Sequence, residues 1–406
     1  MKHSPGSPQR KMTSANRKPS PPLSFMLVAG EASGDCHAAN LVRELKRRQP
    51  GAVFFGLGGD QMAEAGVAIE HNLVSHAVIG FAEVFKKLGD FLQALRYAER
   101  LLRERRPDVL ILVDLPDMNF RIAAKAKNLG IPIVYYISPQ VWAWRAGRVK
   151  TLKRLVDEMI VIFPFEEPIY QREQIPVTFV GHPLMDLVKP EVPTKQARKQ
   201  LLGKSKGPLV ALAPGSRNQE IQFMLPVMAQ VGHAIRKEFP EARFFIPLAR
   251  TIPRSQVEGI LNAAGLDAEI VNENPFAARA AADLTIISSG TATLETAILG
   301  VPMIIVYRMH ALSYRMARWF VKLPCFGLAN LVAGEKIAPE FLQHEFSVEN
   351  VSRSAMELLR NPQAAAAQRA GWERVRANLG QNGAAGRAAD AVLAMLERKR
   401  KTFTAK

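Results

Sequence analysis

A chain of 406 residues with 48% hydrophobic composition can bury two cores of ordinary domain size, which excludes a disordered or fibrous protein. No window approaches the roughly 18 consecutive apolar residues of a membrane span, and LSFMLVAG (23–30) is too short and poorly flanked for a signal peptide, so the chain reads as cytosolic. The formal charge of +17 suggests nucleic acid until it is apportioned. Residues 1–22 carry five basic residues, five prolines and no acid, and residues 398–406 carry five more basic residues. Seventeen less those ten leaves +7 on the body, which suits anionic ligands or an anionic membrane surface and requires no nucleic acid. By composition both tails read as disordered solubilising extensions.

From residue 23 onward short apolar runs alternate with longer segments of helical period, the pattern of a parallel sheet with crossover helices. The first half, 23–185, offers FMLVA, VFFGL, DVLILVD, IPIVYYI, EMIVIF and VTFVG as strands. The proline- and lysine-rich stretch 186–207 reads as a linker. PLVALAP, ARFFIPL, DAEIV, DLTIIS and PMIIVY repeat the pattern over 208–347, and 348–397 reads as helices that pack back across the other domain. The expected fold is α/β: two doubly wound Rossmann-like domains facing a cleft, with ligands at the carboxyl ends of the strands.

The residues just after each strand therefore carry the functional reading. AGEASGDCH (29–37) follows the first strand. Gly30 and Gly34 permit a tight turn and close approach of a ligand, and Ser33 can cap the next helix. The spacing is not that of a dinucleotide loop, and Glu31 with Asp35 would repel a pyrophosphate there. These carboxylates suit neutral sugar hydroxyls, or serve only the helix dipole. In IGFAEVFKKLGDFLQALRYAERLLRERR (79–106), Phe81, Val84, Phe85, Leu88 and Phe91 form a broad apolar surface among basic residues. It is either an ordinary crossover helix or a surface that meets an anionic bilayer and acyl chains.

VDLPDMNF (113–120) places Asp114 and Asp117 at a strand's carboxyl end. One carboxylate facing the cleft can take a proton from an attacking hydroxyl, and Asp117 is the preferred base because Asp114 is better placed to cap the following helix. SPQVWAWR (138–145) holds two of the chain's four tryptophans, Trp142 and Trp144, with core filling and a place near the acceptor both open.

In the second half PGSRNQE (214–220) offers Gly215 and Ser216 as donors and Arg217 as a planar fork for phosphate oxygens. SSGTATLET (288–296) follows a strand and opens a helix, a ready anion site around Ser289, Gly290 and Thr291 with no acid in its first turn. Glu295 fits no capping-box register, because Thr291 as N-cap puts Leu294 at the third position, so its carboxylate is free to clasp two ribose hydroxyls. The eight histidines and two cysteines show no metal-ligand spacing, and neither a metal nor a cofactor is expected.

Taken in order, AGEASGD, VDLPDMNF, SPQVWAWR, FPFE with VGHP, PGSR, SSGTATLE, and ANLVAGE with EFLQ resemble the lipid-A-disaccharide synthase family from about residue 24 to the C-terminal helices. The resemblance implies a metal-independent, inverting glycosyltransferase of the GT-B type. It would join UDP-2,3-diacylglucosamine to 2,3-diacylglucosamine 1-phosphate in a β-1,6 linkage and release UDP. Carried onto matching positions, Asp117 would activate the acceptor hydroxyl with Ser33 beside it. Arg217 and the loop from Ser289 to Glu295 would hold UDP, helped by Asn330 and Gln343. Ala329 stands where the family usually has proline. The implied location is the cytoplasmic face of the bacterial inner membrane, and a homodimer is compatible with this reading. A UDP-sugar 2-epimerase and a nucleotide-binding membrane regulator are the competing classes.

Overall fold

The computed structural model describes residues 21–73, 83–139, 141, 147–249, 251–309 and 324–404. The first half runs β1 (Ser24–Ala29), α1 (Ala32–Arg48), β2 (Val53–Gly58), α2 (Asp60–Glu64), β3 (Ala68–Asn72), α3 (Glu83–Arg105), β4 (Val109–Val113), α4 (Pro116–Asn128), β5 (Ile133–Tyr136), α5 (Arg148–Leu155), β6 (Glu158–Val161), α6 (Glu167–Arg172) and β7 (Val177–Phe179). Its strands form one parallel sheet in the order β3-β2-β1-β4-β5-β6-β7. FMLVA and VLILV are buried along their whole length, the continuous apolar run of strands covered on both faces. Phe25 pairs with Val109 and Ala29 with Val113, so β1 and β4 end level with each other where the strand order reverses. A doubly wound sheet opens a crevice at that switch point.

The second half follows α7 (Leu184–Leu187) and α8 (Thr194–Leu202) with β8 (Leu209–Ala213), α9 (Asn218–Glu238), β9 (Arg243–Pro247), α10 (Arg254–Ala264), β10 (Glu269–Val271), α11 (Pro275–Ala280), β11 (Leu284–Ser288), α12 (Thr291–Ile298), β12 (Met303–Tyr307), α13 (Leu328–Ala333) and β13 (Glu340–Leu342). The order β10-β9-β8-β11-β12-β13 puts a second switch point between β8 and β11. Two edge strands, β3 and β13, were not among the expected runs. AIEHN is largely polar and only half-buried, and EFL is three residues long, so neither carries the apolar signal of a central strand.

The stretch expected as linker contains a helix of the second domain. Ala197 and Leu201 of α8, one turn apart, pack with Leu209, Ala211, Phe245 and Ala277. Arg198 fixes α8 by donating to Asp283 Oδ2 at 2.9 Å and to the Ala281 carbonyl at 2.7 Å.

The chain ends in α14 (Val348–Arg360), α15 (Pro362–Leu379) and α16 (Ala384–Thr404). Trp372 of α15 is fully buried, its indole N–H donating to the Val301 carbonyl at 3.0 Å. α16 returns to the first domain, where Arg48 of α1 pairs with Asp390 at 2.6 Å. The basic segment at its end is helical to Thr404 and ion-paired, unlike the disordered tail its composition suggests. Arg398 pairs with the buried Glu158 and Lys399 with Asp157. The acids that order it sit at the amino end of β6, some 240 residues earlier in the chain, so no local signal announces them. One continuous apolar cluster runs from Leu27 and Val113 through Val180, Leu184 and Val188 to Ile287, Trp372 and Val392, joining both sheets. No described helix is long and apolar enough to cross a membrane. Residues 1–20, Phe81, Trp142 and Trp144 lie outside the described residues, as do the side chains of Val84, Phe85 and Leu88.

Candidate active site

At the first switch point the loops after β1 and β4 carry the acidic cluster. Glu31 is the N-cap of α1 by its backbone, with no side-chain cap bond. Ser33 therefore lies inside the first turn with its hydroxyl exposed, and is not the cap that its position in the sequence suggests. Gly30 is tight for a reason internal to the fold: a Cβ there would meet Leu115 Cδ2 at 2.3 Å. The expected sugar contact of Asp35 is corrected. Its carboxylate is buried and accepts the backbone N–H groups of Gly59 at 2.8 Å, Gln61 at 3.0 Å and Met62 at 3.2 Å, which locks α1 to the loop after β2.

Asp114 and Leu115 both adopt left-handed backbone, φ 48° and 47°, uncommon for two consecutive residues with side chains. The turn is held from outside: the Asp114 carbonyl accepts from Asn119 Nδ2 at 2.5 Å and from the Tyr135 hydroxyl at 2.7 Å. Such imposed strain concentrates at functional sites. Burial raises the proton affinity of the Asp114 carboxyl, the nearby Glu31 carboxylate adds to this, and the Leu115 amide opposes it. Asp114 does not cap α4; Leu115 stands at that position and Pro116 opens the helix. Asp117 follows on the exposed side of the first turn and forms an ion pair with Arg148 at the start of α5. The Arg148 guanidinium also lies over the Phe120 ring, 5.4 Å from its centroid. Sequence reasoning missed Arg148.

At the second switch point the loops after β8, β9 and β11 surround a cavity of about 480 Å³ that gathers Arg217, Ser289, Gly290, Thr291 and Glu295. Gly215 has φ 126°, and a Cβ on it would meet Glu220 Oε2 at 2.3 Å, so only glycine fits. Glu220 reaches back to the loop and accepts the N–H groups of Ser216 at 2.9 Å and Arg217 at 3.2 Å, and its Oε1 lies 3.5 Å from Arg217 Nη1, whose side chain is otherwise exposed at the cavity. Gly290 is the N-cap of α12 without a side-chain cap bond, so the N–H groups of Thr291 and Ala292, the first helical residues, have no partner within the helix and border the cavity. Ser289 donates its hydroxyl to the Phe326 carbonyl at 3.0 Å and keeps its lone pairs. Glu295, a turn further in, is paired through Oε2 with Arg279 Nη1 at 2.6 Å. Tyr307 lies near Glu220 and Arg217: burial first, and then the Glu220 carboxylate, raise its proton affinity, with Arg217 opposing. Arg279, Glu220 and Tyr307 were not singled out from the sequence.

One expected nucleotide contact is corrected. Asn330 is fully buried and its amide is saturated, donating to the Ala338 carbonyl and Glu340 Oε1, both at 2.8 Å, and accepting from Ile337 and Ala338 N–H. It fixes the loop into β13. Ala329, in place of proline, keeps an N–H that donates to Thr293 Oγ1 at 3.4 Å. Gln343 is half-buried, and with its amide oriented to suit its neighbours it faces the backbone N–H and carbonyl of Met309, both at 3.1 Å, just past the end of β12. On the apolar surface, Phe91 packs on the first sheet's core under Arg121, 5.3 Å from its ring, and so is not free for acyl chains; Leu92 beside it is exposed.

Two doubly wound parallel sheets in tandem, with helices crossing back at the end, define the GT-B class of fold. The same architecture is found in the kitacinnamycin glycotransferase (TM-score 0.61, 18% identity, 93% of this chain and 100% of that one) and in UDP-GlcNAc 2-epimerase from Neisseria meningitidis (TM-score 0.60, 14% identity, 93% and 100%). Sequence narrows the class. The lipid-A-disaccharide synthetase family model matches residues 25–394, and the chain belongs to that family. Lipid-A-disaccharide synthase of Geobacter sulfurreducens is 41% identical over 372 residues, covering 92% of this chain and 97% of that protein. That of Nitrosococcus oceani is 40% identical over 371 residues, covering 91% and 96%. The chain is accordingly a glycosyltransferase of lipid A disaccharide synthesis.

Proposed function

We propose that the enzyme condenses UDP-2,3-diacylglucosamine with 2,3-diacylglucosamine 1-phosphate, giving the β-1,6-linked disaccharide 1-phosphate and UDP, with inversion and without a metal. The observation that carries this reading is the chemical contrast of the two switch points: carboxylates at the first, and an arginine, hydroxyls and unpaired helix amides around a cavity at the second.

UDP binds at the second switch point. Arg217 and the first amides of α12 hold the diphosphate, Ser289 anchors the loop through the Phe326 carbonyl, and Glu295 accepts from the ribose hydroxyls. The acceptor sugar lies at Glu31, Ser33 and Asp114 with its 6-hydroxyl on Asp117. Its oxygen attacks C1 of the donor, the C1–O bond to UDP breaks, the proton passes to Asp117, and the charge on the leaving diphosphate develops against preorganised donors. The half-buried Asp114, held toward its neutral form, suits a hydroxyl ligand better than a cation.

The test is incubation of the enzyme with the UDP-diacyl sugar, with and without the monosaccharide 1-phosphate. Disaccharide that forms only when both are present supports the reading; release of a lone amino sugar without acceptor would instead make it an epimerase.

The segment carrying Phe81, Phe85, Leu88 and Leu92 meets the cytoplasmic face of the inner membrane, where both lipid substrates lie. Mixed apolar and basic residues around the exposed Leu92 support this. Changing Phe81, Phe85 and Leu88 to Ser should reduce co-sedimentation with anionic liposomes; unchanged binding would return α3 to a plain crossover helix.

A further inference from the structure

The cavity at the second switch point contains a charge arrangement that the reaction alone does not explain. A carboxylate beside a diphosphate is repulsive, yet Glu295 lines the same cavity as Arg217 and the first turn of α12. The charge opposite it is Arg279, a buried arginine on α11 that also borders the cavity and pairs with Glu295 Oε2 at 2.6 Å. Arg279 is fixed on every side. Its guanidinium lies over the Phe276 ring, 5.0 Å from the centroid, and its Nε donates to the Pro275 carbonyl at 3.4 Å. α11 itself is held from the interdomain segment, where Glu191 accepts the N–H groups of Ala277 at 3.0 Å and Phe276 at 3.4 Å.

We propose that Arg279 is a positioning residue for nucleotide recognition: it neutralises Glu295 and holds its carboxylate in one orientation, with Oε2 on the guanidinium and Oε1 presented to the ribose hydroxyls. The proposal rests on the reading that Glu295 binds the ribose. Two consequences follow. The pair adds no net negative charge to the diphosphate pocket, where Arg217, 3.5 Å from Glu220 Oε1, is the other cation. And the recognition of ribose over a sugar without its hydroxyls depends on an arginine that itself need not touch the nucleotide.

Charged groups reach Glu295 from several elements. Arg279 faces it from α11, Arg217 and Glu220 border the cavity from the loop after β8 and from α9, and Arg376 of α15 caps the far end of α12, donating to the Ala297 and Ile298 carbonyls. Without Arg279, Glu295 is an unpaired carboxylate next to a diphosphate, and the repulsion between them weakens UDP binding.

The experiment is calorimetric titration of the full-length parent, Arg279→Met, Arg279→Gln and Glu295→Gln with UDP and with 2′-deoxy-UDP. The parent should prefer UDP by about 10- to 100-fold, the value of one hydrogen bond to a charged group. Arg279→Met should bring that preference below about threefold and weaken UDP binding. If Arg279→Met does not fold, Arg279→Gln, which keeps a hydrogen bond but not the charge, carries the test through the same loss of UDP affinity and preference. A parent that prefers UDP, with Arg279 variants that retain both the preference and the parent's UDP affinity, overturns the proposal. A parent without preference, matched by Glu295→Gln, removes the ribose role of Glu295 and the proposal with it.

Discussion

Each domain joins a carboxylate at its switch point to an arginine on a neighbouring helix, and the two pairs are built differently. Asp117 and Arg148 are 77% and 21% exposed; Glu295 and Arg279 are 21% and 9% exposed. The first pair sits in water, where the carboxylate can part from its partner and meet a hydroxyl. The second is enclosed, so its carboxylate can only accept hydrogen bonds from a fixed position. A group that must move a proton is left accessible, while one that must recognise a ligand is pinned. The loops agree: the first domain gathers acids around a strained Asp114–Leu115 turn, and the second gathers donors around a rigid glycine turn.

The largest expected effect is on chemistry. Asp117→Asn should lower turnover by about 10²- to 10⁴-fold. If Asp117→Asn keeps turnover and Asp114→Asn loses it, the base is the half-buried carboxylate and the division by exposure breaks down. Stability gives the second contrast. Arg279→Met leaves the half-buried Glu295 carboxylate without its partner and should cost about 1–3 kcal/mol in urea unfolding, whereas Arg148→Ala should cost about 0.2–1 kcal/mol. Equal losses would show that the two pairs do not differ in kind. Asn330→Ala should lower stability by about 1–3 kcal/mol through the acceptors it leaves bare, while the donor KM stays unchanged; a raised KM would restore it to the nucleotide site.

A pH effect concerns the junction between the domains. Burial holds His37 at about 4 and His182 at about 3, below the ordinary 6.5. Between pH 6.5 and those values the unfolded chain binds protons that the folded chain does not, so stability falls as pH drops through that window and is unaffected above it. Urea midpoints at pH 7.5 and pH 5 measure this; equal midpoints would mean the two rings are not held neutral.

Much of this was legible in the sequence because parallel strands buried on both faces are continuous apolar runs. All eleven apolar runs quoted from the sequence correspond to strands, the edge strands β7 and β10 included, and the site loops follow the central ones directly. Edge strands such as AIEHN and EFL lack that signal. The sequence also identified the chemistry of PGSR and SSGTATLE, since glycine and hydroxyl residues at a strand-to-helix turn have few other uses. It could not separate ligand contacts from side chains engaged by distant backbone. Asp35 binds amides about 25 residues away and Asn330 closes a loop of eight, contacts that exist only after folding. Arg148 and Arg279 were missed for the same reason: an arginine on an ordinary helix signals nothing until its partner is adjacent.

The division of labour between the domains is tested most directly by one calorimetric comparison, UDP titrated into Asp117→Asn and Arg217→Ala beside the parent. The account predicts that Asp117→Asn binds UDP as the parent does and that Arg217→Ala, without its charge-assisted bonds, binds it about 10- to 100-fold more weakly. Equal weakening in both variants, or none in Arg217→Ala, would contradict it.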